Sequence, residues 1–317
     1  MGPRTRTLVI LAAIAVACVL PLFLSNFRLF QITQVYIYAI ALLGLNLLTG
    51  YNGQISLGHG AFFAIGAYVA AIMMDQWGID YGWTLPAAAA VCFVAGFLFG
   101  LPALRLEGLY LALATFSLAL AAPQILKYFE HWTGGSMGLV LSKPQAPFDL
   151  PLNPDQWLYF VTLATMLLLF WLAMNLLAGR IGRALVSIRD NHMAAQAMGI
   201  DTALYKTLTF GVSSAYTGIA GALSAIAVAY VSPDSFSFIL SISLLIGVVI
   251  GGLASIQGAI YGAIFIQFVP NVAQDISKAA PGAIFGVFLI LVTYFMPFGI
   301  AGAVRLIEAR LQRRRKP

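Results

Sequence analysis

Residues 34–74 decide the fold class: they run QVYIYAIALLGLNLLTG at 34–50, YNGQISLG at 51–58 and HGAFFAIGAYVAAIMM at 59–74. Two apolar runs are interrupted by a short stretch of glycines and polar side chains. A membrane-spanning helix needs about 20 apolar residues, and both runs come close to that length. Glycine lets the backbone leave a helix, and polar side chains can satisfy the peptide groups that are freed. The stretch therefore predicts two transmembrane helices joined by a non-helical segment.

The rest of the chain has the same character. Its 317 residues are 61% hydrophobic and 9% charged, whereas about 25% are charged in an average soluble domain. So few charges could not cover a water-exposed surface, but lipid solvates apolar side chains. We predict an all-α integral membrane protein of about ten transmembrane helices with short loops, forming a single domain over residues 1–317. The predicted spans are 8–24, 34–50, 59–74, 84–103, 108–126, 156–178, 207–231, 238–256, 258–273 and 281–303.

Two details of this prediction concern individual spans. The N-terminal run 8–24 is interpreted as an uncleaved first helix, because it is long for a signal-peptide core and lacks a good cleavage site. The two runs that meet near 256–258 are predicted as separate helices, with one broken helix as the alternative.

Ten spans place both termini on the same side of the membrane. Thirteen basic residues then fall on one side and four on the other. Cytoplasmic loops carry the excess of Lys and Arg, so both termini are predicted to be cytoplasmic. The longest outward loop is then 127–156, and the longest inward loop is 179–206.

Several function classes find no support in the sequence. The acidic residues fall in loops or at helix ends, which argues against proton or sodium coupling through a buried carboxylate. No Gly-Lys pair occurs, so the chain cannot bind ATP through a P-loop. His59, His131 and His192 have no ligand spacing, and Cys18 and Cys92 sit in apolar runs, so neither a metal site nor a disulfide is predicted. The net charge of +6 is scattered between apolar segments and indicates orientation and lipid contact, not nucleic-acid binding.

The interrupting stretch is the first candidate site. Non-helical backbone at membrane depth is tolerated only where protein or a water-filled path surrounds it, and discontinuous helices line such paths in transporters. The alternative is a cytoplasmic turn followed by a glycine-rich helix start. The candidate residues of a substrate path are Asn52, Gly53, Gln54, Ser56, Gly58 and His59.

The inward loop is the second candidate site. Residues 183–198 suit a short helix, a second turn can start at Asp190 or Asn191, and Gly199 is a plausible stop. The helix is too short to span a membrane, and its small apolar surface can lie in the groove of a cytoplasmic partner. The alternative is a surface helix whose arginines lie near lipid headgroups.

Two glycine-rich sets complete the candidates. In the outward loop, Trp132-Thr-Gly-Gly-Ser-Met-Gly138 predicts a tight turn with exposed amides. It is either a contact for an external delivery protein, made by Thr133, Gly134, Gly135 and Ser136, or an ordinary turn in the loop. The second set predicts close helix packing, within this chain or against a second subunit. Its members are Gly211, Gly218, Gly221, Gly247, Gly251, Gly252, Gly258 and Gly262.

Several of these blocks together resemble a known family, the branched-chain amino-acid type of ABC importer permease, and in particular its M-type subunit. The resemblance runs from about residue 50 to about residue 262. It is carried by Gly53-Gln-Ile-Ser-Leu-Gly-His59, Leu104-Arg-Leu-Glu-Gly-Leu-Tyr110, Thr133-Gly-Gly-Ser-Met-Gly-Leu139, Gly182-Arg-Ala-Leu-Val-Ser-Ile-Arg-Asp-Asn191 and Gly251-Gly-Leu-Ala-Ser-Ile-Gln-Gly258.

The resemblance implies a transmembrane subunit of an ATP-driven importer in a bacterial inner membrane, with the outward loop in the periplasm. It implies a second homologous permease subunit, two P-loop ATPase subunits that bind ATP and magnesium, and a periplasmic binding protein that delivers the solute. The chain itself would be neither an enzyme nor a cofactor protein. The implied substrates are branched-chain amino acids or similar small organic solutes. The alternative is a self-sufficient channel or secondary transporter.

The inward loop also resembles the importer coupling loop, whose pattern is Glu-Ala-Ala, three residues, then Gly. Here the stretch is Met193-Ala-Ala-Gln-Ala-Met-Gly199, so a methionine replaces the glutamate. This departure shifts the expected contact toward packing and toward the charged pair before it. The candidate coupling residues are Arg189, Asp190, Ala194, Ala195 and Gly199.

Overall fold

The computed structural model describes residues 15–104, 106, 108–146, 152–276, 278, 281–296 and 298–314. Five of the thirteen basic residues counted on the predicted cytoplasmic side lie outside these residues: Arg4, Arg6, Arg105, Arg315 and Lys316. The start of the predicted span 8–24 lies outside them too.

Helices dominate the described part of the chain. After the helical residues 15–19 and a 3-10 turn at Leu20–Leu22, thirteen α-helices follow among the described residues. They are α1 Asn26–Asn46, α2 His59–Asp75, α3 Tyr81–Ala103, α4 Leu109–Tyr128, α5 Glu130–Thr133, α6 Pro154–Ala178, α7 Arg180–Asp190, α8 His192–Ala197, α9 Thr202–Val228, α10 Phe238–Gly251, α11 Ile256–Ile276, α12 Pro281–Phe295 and α13 Gly299–Arg314. Strands β1 (Leu139–Val140) and β2 (Tyr230–Val231) pair antiparallel, with Leu139 opposite Val231.

The prediction of an all-α membrane protein is confirmed. Six described helices are long and apolar enough to cross a bilayer, and α2 and α10 are shorter apolar helices. On that criterion the described residues do not reach ten spans, so the number ten stays a prediction. The six spans are Asn26–Tyr51, Tyr81–Pro102, Leu109–Tyr128, Pro154–Ala178, Thr202–Val228 and Ile256–Asp275.

Two boundaries differ most from the sequence-based prediction. Helix α1 begins at Asn26, eight residues before the predicted start, and a π-helical turn, Leu47–Tyr51, continues it. The predicted single span 281–303 is wrong, because α12 ends at Phe295 and a separate helix starts at Gly299. A proline at 297 disfavours helical backbone at the residue before it, and Gly299 adopts φ +70°.

The molecule has two ends, which are separated by the length of α9. This helix has 27 residues and is therefore about 40 Å long. At its N-terminus lie α7 and α8, and we call this side the loop end. At its C-terminus lies the β1–β2 ribbon, and we call this side the ribbon end.

Helices α1 and α9 form the centre of the fold. Their most apolar stretches are 83% and 78% buried, against 28% for α3 and α4, 33% for α6 and 39% for α11. Helix α9 packs on α1, α2 and α3, and α1 also packs on α6, α10 and α11. The outer helices expose large apolar side chains, which suits contact with lipid tails.

Small residues bring α9 close to its neighbours. A Cβ atom added to Gly66 of α2 would collide with the backbone of Gly218 in α9, and one on Gly251 of α10 would collide with Gly258 of α11. Glycine at these crossings permits backbone contact between helices. The predicted packing role is confirmed for Gly218, Gly251 and Gly258, and these contacts lie within this chain.

The Gly66–Gly218 crossing yields a stability prediction. Gly66→Ala should lower the free energy of unfolding by about 1–3 kcal/mol, because the new methyl group meets backbone that cannot move aside. Gly286→Ala in α12 is the matched control, since nothing lies within 4 Å of its added Cβ. Thermal unfolding of the purified protein in detergent measures both. Equal melting temperatures for the two variants would contradict the close crossing.

Candidate functional site

Residues 52–58 interrupt the helical path between α1 and α2, and protein groups satisfy part of their backbone. Leu57 N donates to Thr115 Oγ1 of α4 at 2.9 Å, and Gln54 N donates to Leu48 O at 3.1 Å. These partners belong to helices that enclose the segment. Enclosure by protein is the condition under which non-helical backbone persists at membrane depth.

The segment reaches into the bundle at its C-terminal end, where Ser56 and Gly58 are buried, whereas Gly53 and Ile55 are exposed. His59, the first residue of α2, contacts Ser213, which lies eleven residues from the start of α9. Eleven residues of helix correspond to about 16 Å. Gly60 N donates to Ser241 Oγ in the first turn of α10 at 2.9 Å, so the N-terminal turns of α2 and α10 meet inside the molecule.

A series of hydrogen bonds holds His59 in place at the start of α2. Ser213 Oγ donates to Gly44 O of α1 at 2.6 Å, so it accepts from Nε2 of His59 at 2.7 Å. In the neutral imidazole, Nδ1 then accepts from Ser56 Oγ at 2.9 Å. All three side chains are fully buried. This series of hydrogen bonds connects the interrupting segment to α1 and α9 through His59.

An aromatic cluster surrounds the histidine. The ring of His59 lies 5.8 Å from that of Phe62 and 6.0 Å from that of Phe210, measured between centroids, and the two phenylalanine rings are 5.9 Å apart. Leu48 of the π-helical turn packs against the same rings. This packed cluster leaves His59, Ser56 and Gly58 without access to either of the cavities described below.

Arg189 of α7 connects the inward loop to the segment. Its Nη1 donates to Gly50 O at 3.0 Å, while its Nε and Nη2 donate to Asp190 Oδ1 at 3.0 and 2.8 Å. Gly53 adopts φ +76°, and a Cβ there would lie 2.9 Å from Cγ of Arg189. The two sequence-predicted sites are therefore in direct contact.

The inward loop folds into two short helices. Asn191 separates α7 from α8 and caps α8, with its Oδ1 accepting from Ala194 N at 3.0 Å, and Gly199 with φ +80° follows the end of α8. The predicted second turn and the stop at Gly199 are confirmed, but residues 183–198 do not form one helix, because α7 ends at Asp190 and α8 begins at His192. Ala195 is 3% exposed and faces its own chain, whereas Met193 and Met198 are 72% and 83% exposed.

A loop-end cavity of about 220 Å³ lies where the segment and the loop meet. Of the predicted path residues, Asn52, Gly53 and Gln54 line it together with Arg189, and Ser56, Gly58 and His59 do not. The side chains of Asn52 and Gln54 are nearly buried, yet Nδ2 and Oδ1 of Asn52 and Oε1 of Gln54 find no hydrogen-bond partner within the described residues.

A ribbon-end cavity of about 320 Å³ lies on the opposite side of the aromatic cluster. Amide and hydroxyl groups share its wall with aromatic and aliphatic side chains. Sequence reasoning missed this cavity because it considered only charged residues inside the spans. The residues that mark the cavity are Gln34 and Gln267, two glutamines in apolar helices. The lining residues are Phe30, Gln34, Tyr38, Phe63, Ser224, Ala225, Val228, Tyr230, Ser235, Phe236, Leu240 and Gln267.

The outward loop forms the predicted tight turn beside this cavity. Thr133 Oγ1 donates to Leu126 O at 2.7 Å and accepts from Gly135 N at 3.2 Å, and Gly134 adopts φ +71°. Thr133 and Gly135 are buried and shape the turn, and Gly134 is half-buried. Ser136 and the neighbouring Met137 are exposed. Of the four predicted contact residues, only Ser136 fully faces outward.

A protein-family model described as the permease component of the branched-chain amino acid transport system matches residues 27–297. The chain is 30% identical to the high-affinity branched-chain amino acid transport system permease protein LivM of Salmonella typhimurium, over 95% of this chain and 76% of LivM. It is 26% identical to the LivH permease protein of the same kind of system in Escherichia coli K12, over 84% of this chain and 91% of LivH. No solved structure was found to match the chain.

The His59 chain of hydrogen bonds can be tested with two adjacent serines. Ser213→Ala leaves His59 Nε2 and Gly44 O without Ser213 Oγ, so it should cost about 1–3 kcal/mol of unfolding free energy. Ser214→Ala is the control, because Ser214 is equally buried but donates only to Phe210 O within its own helix. Hydrogen exchange followed by mass spectrometry should show faster exchange around residues 56–60 in Ser213→Ala alone. Unchanged exchange there would mean that other contacts hold the segment.

Proposed function

Because the chain belongs to the family of branched-chain amino acid transport system permease components, we propose that it is a transmembrane subunit of an ATP-binding-cassette importer that forms part of the path for a branched-chain amino acid or a similar small solute. The single domain 1–317 is the permease domain. One structural observation most directly supports coupling between the ATPases and the solute path: Arg189 joins the inward loop to the interrupted helix.

The loop end is proposed to face the cytoplasm and the ribbon end the periplasm. Arg180, Arg183, Arg189 and Lys206 lie in or beside the helices of the loop end, which agrees with the excess of basic residues in cytoplasmic loops. The coupling loop is then 179–206, and the periplasmic loop is 127–156.

Ten spans follow if the shorter helices also cross. The six long spans would be joined by the N-terminal run, α2, α10 and α12, and both termini would be cytoplasmic. Helix α10 has 14 residues and measures about 21 Å, less than the roughly 30 Å of a bilayer core. The 3-10 turn Pro233–Phe236 precedes it and packs onto Phe63 and Tyr68 of α2, so a non-helical stretch would complete the crossing.

The partners follow from what this chain does not do itself. A second homologous permease subunit would form the other half of the path, and both LivM-type and LivH-type relatives exist. Two P-loop ATPase subunits would bind ATP and magnesium at the loop end and carry out the hydrolysis, so this chain would have no enzymatic role. A periplasmic binding protein would deliver the solute near Ser136 and Met137.

The two cavities suggest how access alternates. The ribbon-end cavity combines the amides of Gln34 and Gln267 with aromatic walls, which suits a solute with a polar head and an apolar side chain. The cluster around His59 separates it from the loop end. Docking of ATP-bound ATPases would move α7, and Arg189 would carry that movement to Gly50 and the π-helical turn. ATP can drive the cycle only through its different affinity for the two states.

The docking surface is proposed to centre on methionines. Met193 stands where the family's coupling pattern has glutamate, and Met198 lies one turn further along on the same exposed loop. Flexible, polarisable methionine adapts well to a partner's groove. Ala194 and Gly199 are exposed beside them, whereas Ala195 supports the loop from inside.

A charge on the docking surface should separate the chain from its ATPases. Met198→Asp should lower the amount of ATPase recovered with a tagged chain from membranes in mild detergent by roughly tenfold, because a desolvated carboxylate would enter the contact. Met137→Asp is the control: Met137 is 87% exposed, close to the 83% of Met198, but lies in the outward loop. Recovery of wild-type chain without any ATPase, or uptake in vesicles lacking ATPases, would favour the self-sufficient channel or carrier.

The ribbon-end cavity yields a separate prediction about the path. Gln267→Leu should reduce ATP-dependent uptake of labelled leucine about 10-fold or more, because an amide that faces the solute is lost. The ATPases should remain bound. Asn271→Leu is the control, one turn along α11, where Asn271 is exposed and bonds Gln267 O. Equal uptake in the two variants would remove this cavity from the path.

A further inference from the structure

The loop-end cavity contains two buried carboxamides that the fold leaves unpaired. Asn52 is 2% exposed and Gln54 is 8% exposed, and both line the cavity. Neither polar atom of the Asn52 amide, nor Oε1 of Gln54, has a hydrogen-bond partner within the described residues. Leaving such a group unpaired costs about 1–3 kcal/mol. A site that places two of them in one cavity is built to hydrogen-bond something else.

The unpaired atoms specify what a ligand must offer. Asn52 Nδ2 requires an acceptor, while Asn52 Oδ1 and Gln54 Oε1 require donors. A simple anion would leave the two oxygens unpaired, and a simple cation would leave Nδ2 unpaired. A ligand that carries an acceptor and a donor close together satisfies all three atoms.

The wall also provides hydrogen-bond donors for the acceptor of the ligand. Arg189 is ion-paired with Asp190 and donates three of its five N–H groups to Asp190 and Gly50, counted over the described residues, so two remain for a ligand. Lys206, which has an interaction partner of its own, also lines the cavity. Guanidinium groups bind carboxylates through paired hydrogen bonds.

Part of the remaining wall is aliphatic. Leu106, Leu111 and Ile188 line the cavity together with His192, and Leu111 and Ile188 are almost fully buried. The volume of about 220 Å³ has room for several water-sized groups of roughly 30 Å³ each. A short branched hydrocarbon chain therefore has both space and apolar contact.

We propose that the loop-end cavity is a binding site for an aliphatic α-amino acid. The carboxylate accepts from Asn52 Nδ2 and Arg189, the ammonium group donates to Asn52 Oδ1 and Gln54 Oε1, and the side chain packs on the aliphatic wall. This inference rests on the proposed function in one respect, since that function places the cavity on the cytoplasmic side. There the ligand is the imported product.

Occupancy of the loop-end cavity regulates the ATP-driven cycle. A bound amino acid bridges Arg189 of α7 and Asn52 of the interrupted helix, and thereby reinforces the existing Arg189–Gly50 contact. A ligand that prefers this arrangement opposes any state in which α7 moves away. Imported amino acid that accumulates in the cytoplasm should therefore slow the ATP-driven cycle.

The test uses the complete complex of permease and ATPase subunits in lipid nanodiscs, without binding protein. The probe is tritiated L-leucine at equilibrium, and 4-methylpentanoate and 3-methylbutylamine, which lack the ammonium and the carboxylate respectively, serve as competitors. We expect saturable leucine binding and weak competition by both analogues. Asn52→Leu and Gln54→Met should each weaken leucine binding roughly 10- to 100-fold. Asn175→Leu, the same substitution at an exposed amide of α6, should not.

Two further measurements distinguish loss of ligand binding from loss of folding or of basal activity. Asn52→Leu replaces an unpaired buried amide with a similarly shaped apolar group, so its melting temperature without ligand should be equal to or above that of wild type. ATPase activity, normalised for each variant to its own rate without leucine, should fall with added leucine in wild type and in Asn175→Leu but not in Asn52→Leu.

Three outcomes would overturn the inference. No leucine binding to the wild-type complex would mean that the cavity holds only water. Binding that survives in Asn52→Leu and disappears in Gln267→Leu would place the amino acid in the ribbon-end cavity, and the proposed importer function would stand. Competition by either analogue as strong as that by unlabelled leucine would exclude recognition of a zwitterion. Failure of the proposed function itself would show as absent ATP-dependent uptake by wild type, a result independent of leucine binding in nanodiscs.

Discussion

The backbone between Asn52 and Gly58 must find hydrogen-bond partners outside its own helix, and the arrangement of the surrounding helices depends on this requirement. In hydrocarbon each unpaired peptide group costs several kcal/mol, so the segment can exist only where other helices bring donors and acceptors to it. Thr115 of α4 accepts from Leu57 N within the segment. Just after the segment, in the first turn of α2, Ser241 of α10 accepts from Gly60 N and Ser213 of α9 accepts from the side chain of His59. Each of the three is a polar side chain on a largely apolar helix, so the position of each helix along its axis is restricted.

Close packing of α9 makes these hydrogen bonds geometrically possible. A serine side chain is short, so Ser213 can reach both His59 and Gly44 O only if α1, α2 and α9 approach within backbone contact. A Cβ on Gly44 would lie 2.6 Å from Cβ of Tyr216, and Gly66 meets Gly218 in the same way. Dispersion forces and interhelical hydrogen bonds drive helix association in lipid, and small residues strengthen both by shortening the distances. Glycine packing and the buried polar chain therefore support one another.

Much of the framework could be predicted from the sequence, since apolar length, glycine spacing and helix-stop residues are local signals. The interrupted helix, the capped turn at Asn191 and the stop at Gly199 are of this kind. The partners of His59 could not be predicted, because Ser213 lies 154 residues away and no local pattern marks it. The burial of Ala195 could not be predicted either, because it depends on how α8 packs onto its own chain. The ribbon-end cavity gathers residues from α1, α2, α9, α10 and α11, which meet only after the bundle has formed.

The position of Arg189 determines how the proposed cycle could transmit force. Packed interiors switch between discrete arrangements and do not deform continuously. The cluster of His59, Phe62 and Phe210 is packed in this way, so a gradual widening between the two cavities is costly. Arg189 holds Gly50 at the end of the π-helical turn, a helix form that contains one extra residue and is often found at functional sites. Movement of α7 would therefore act first on the least regular turn of α1, and only then on the hydrogen-bonded chain beyond it. Coupling in this subunit would be concentrated at one arginine and one turn of helix, which is also where the loop-end cavity opens.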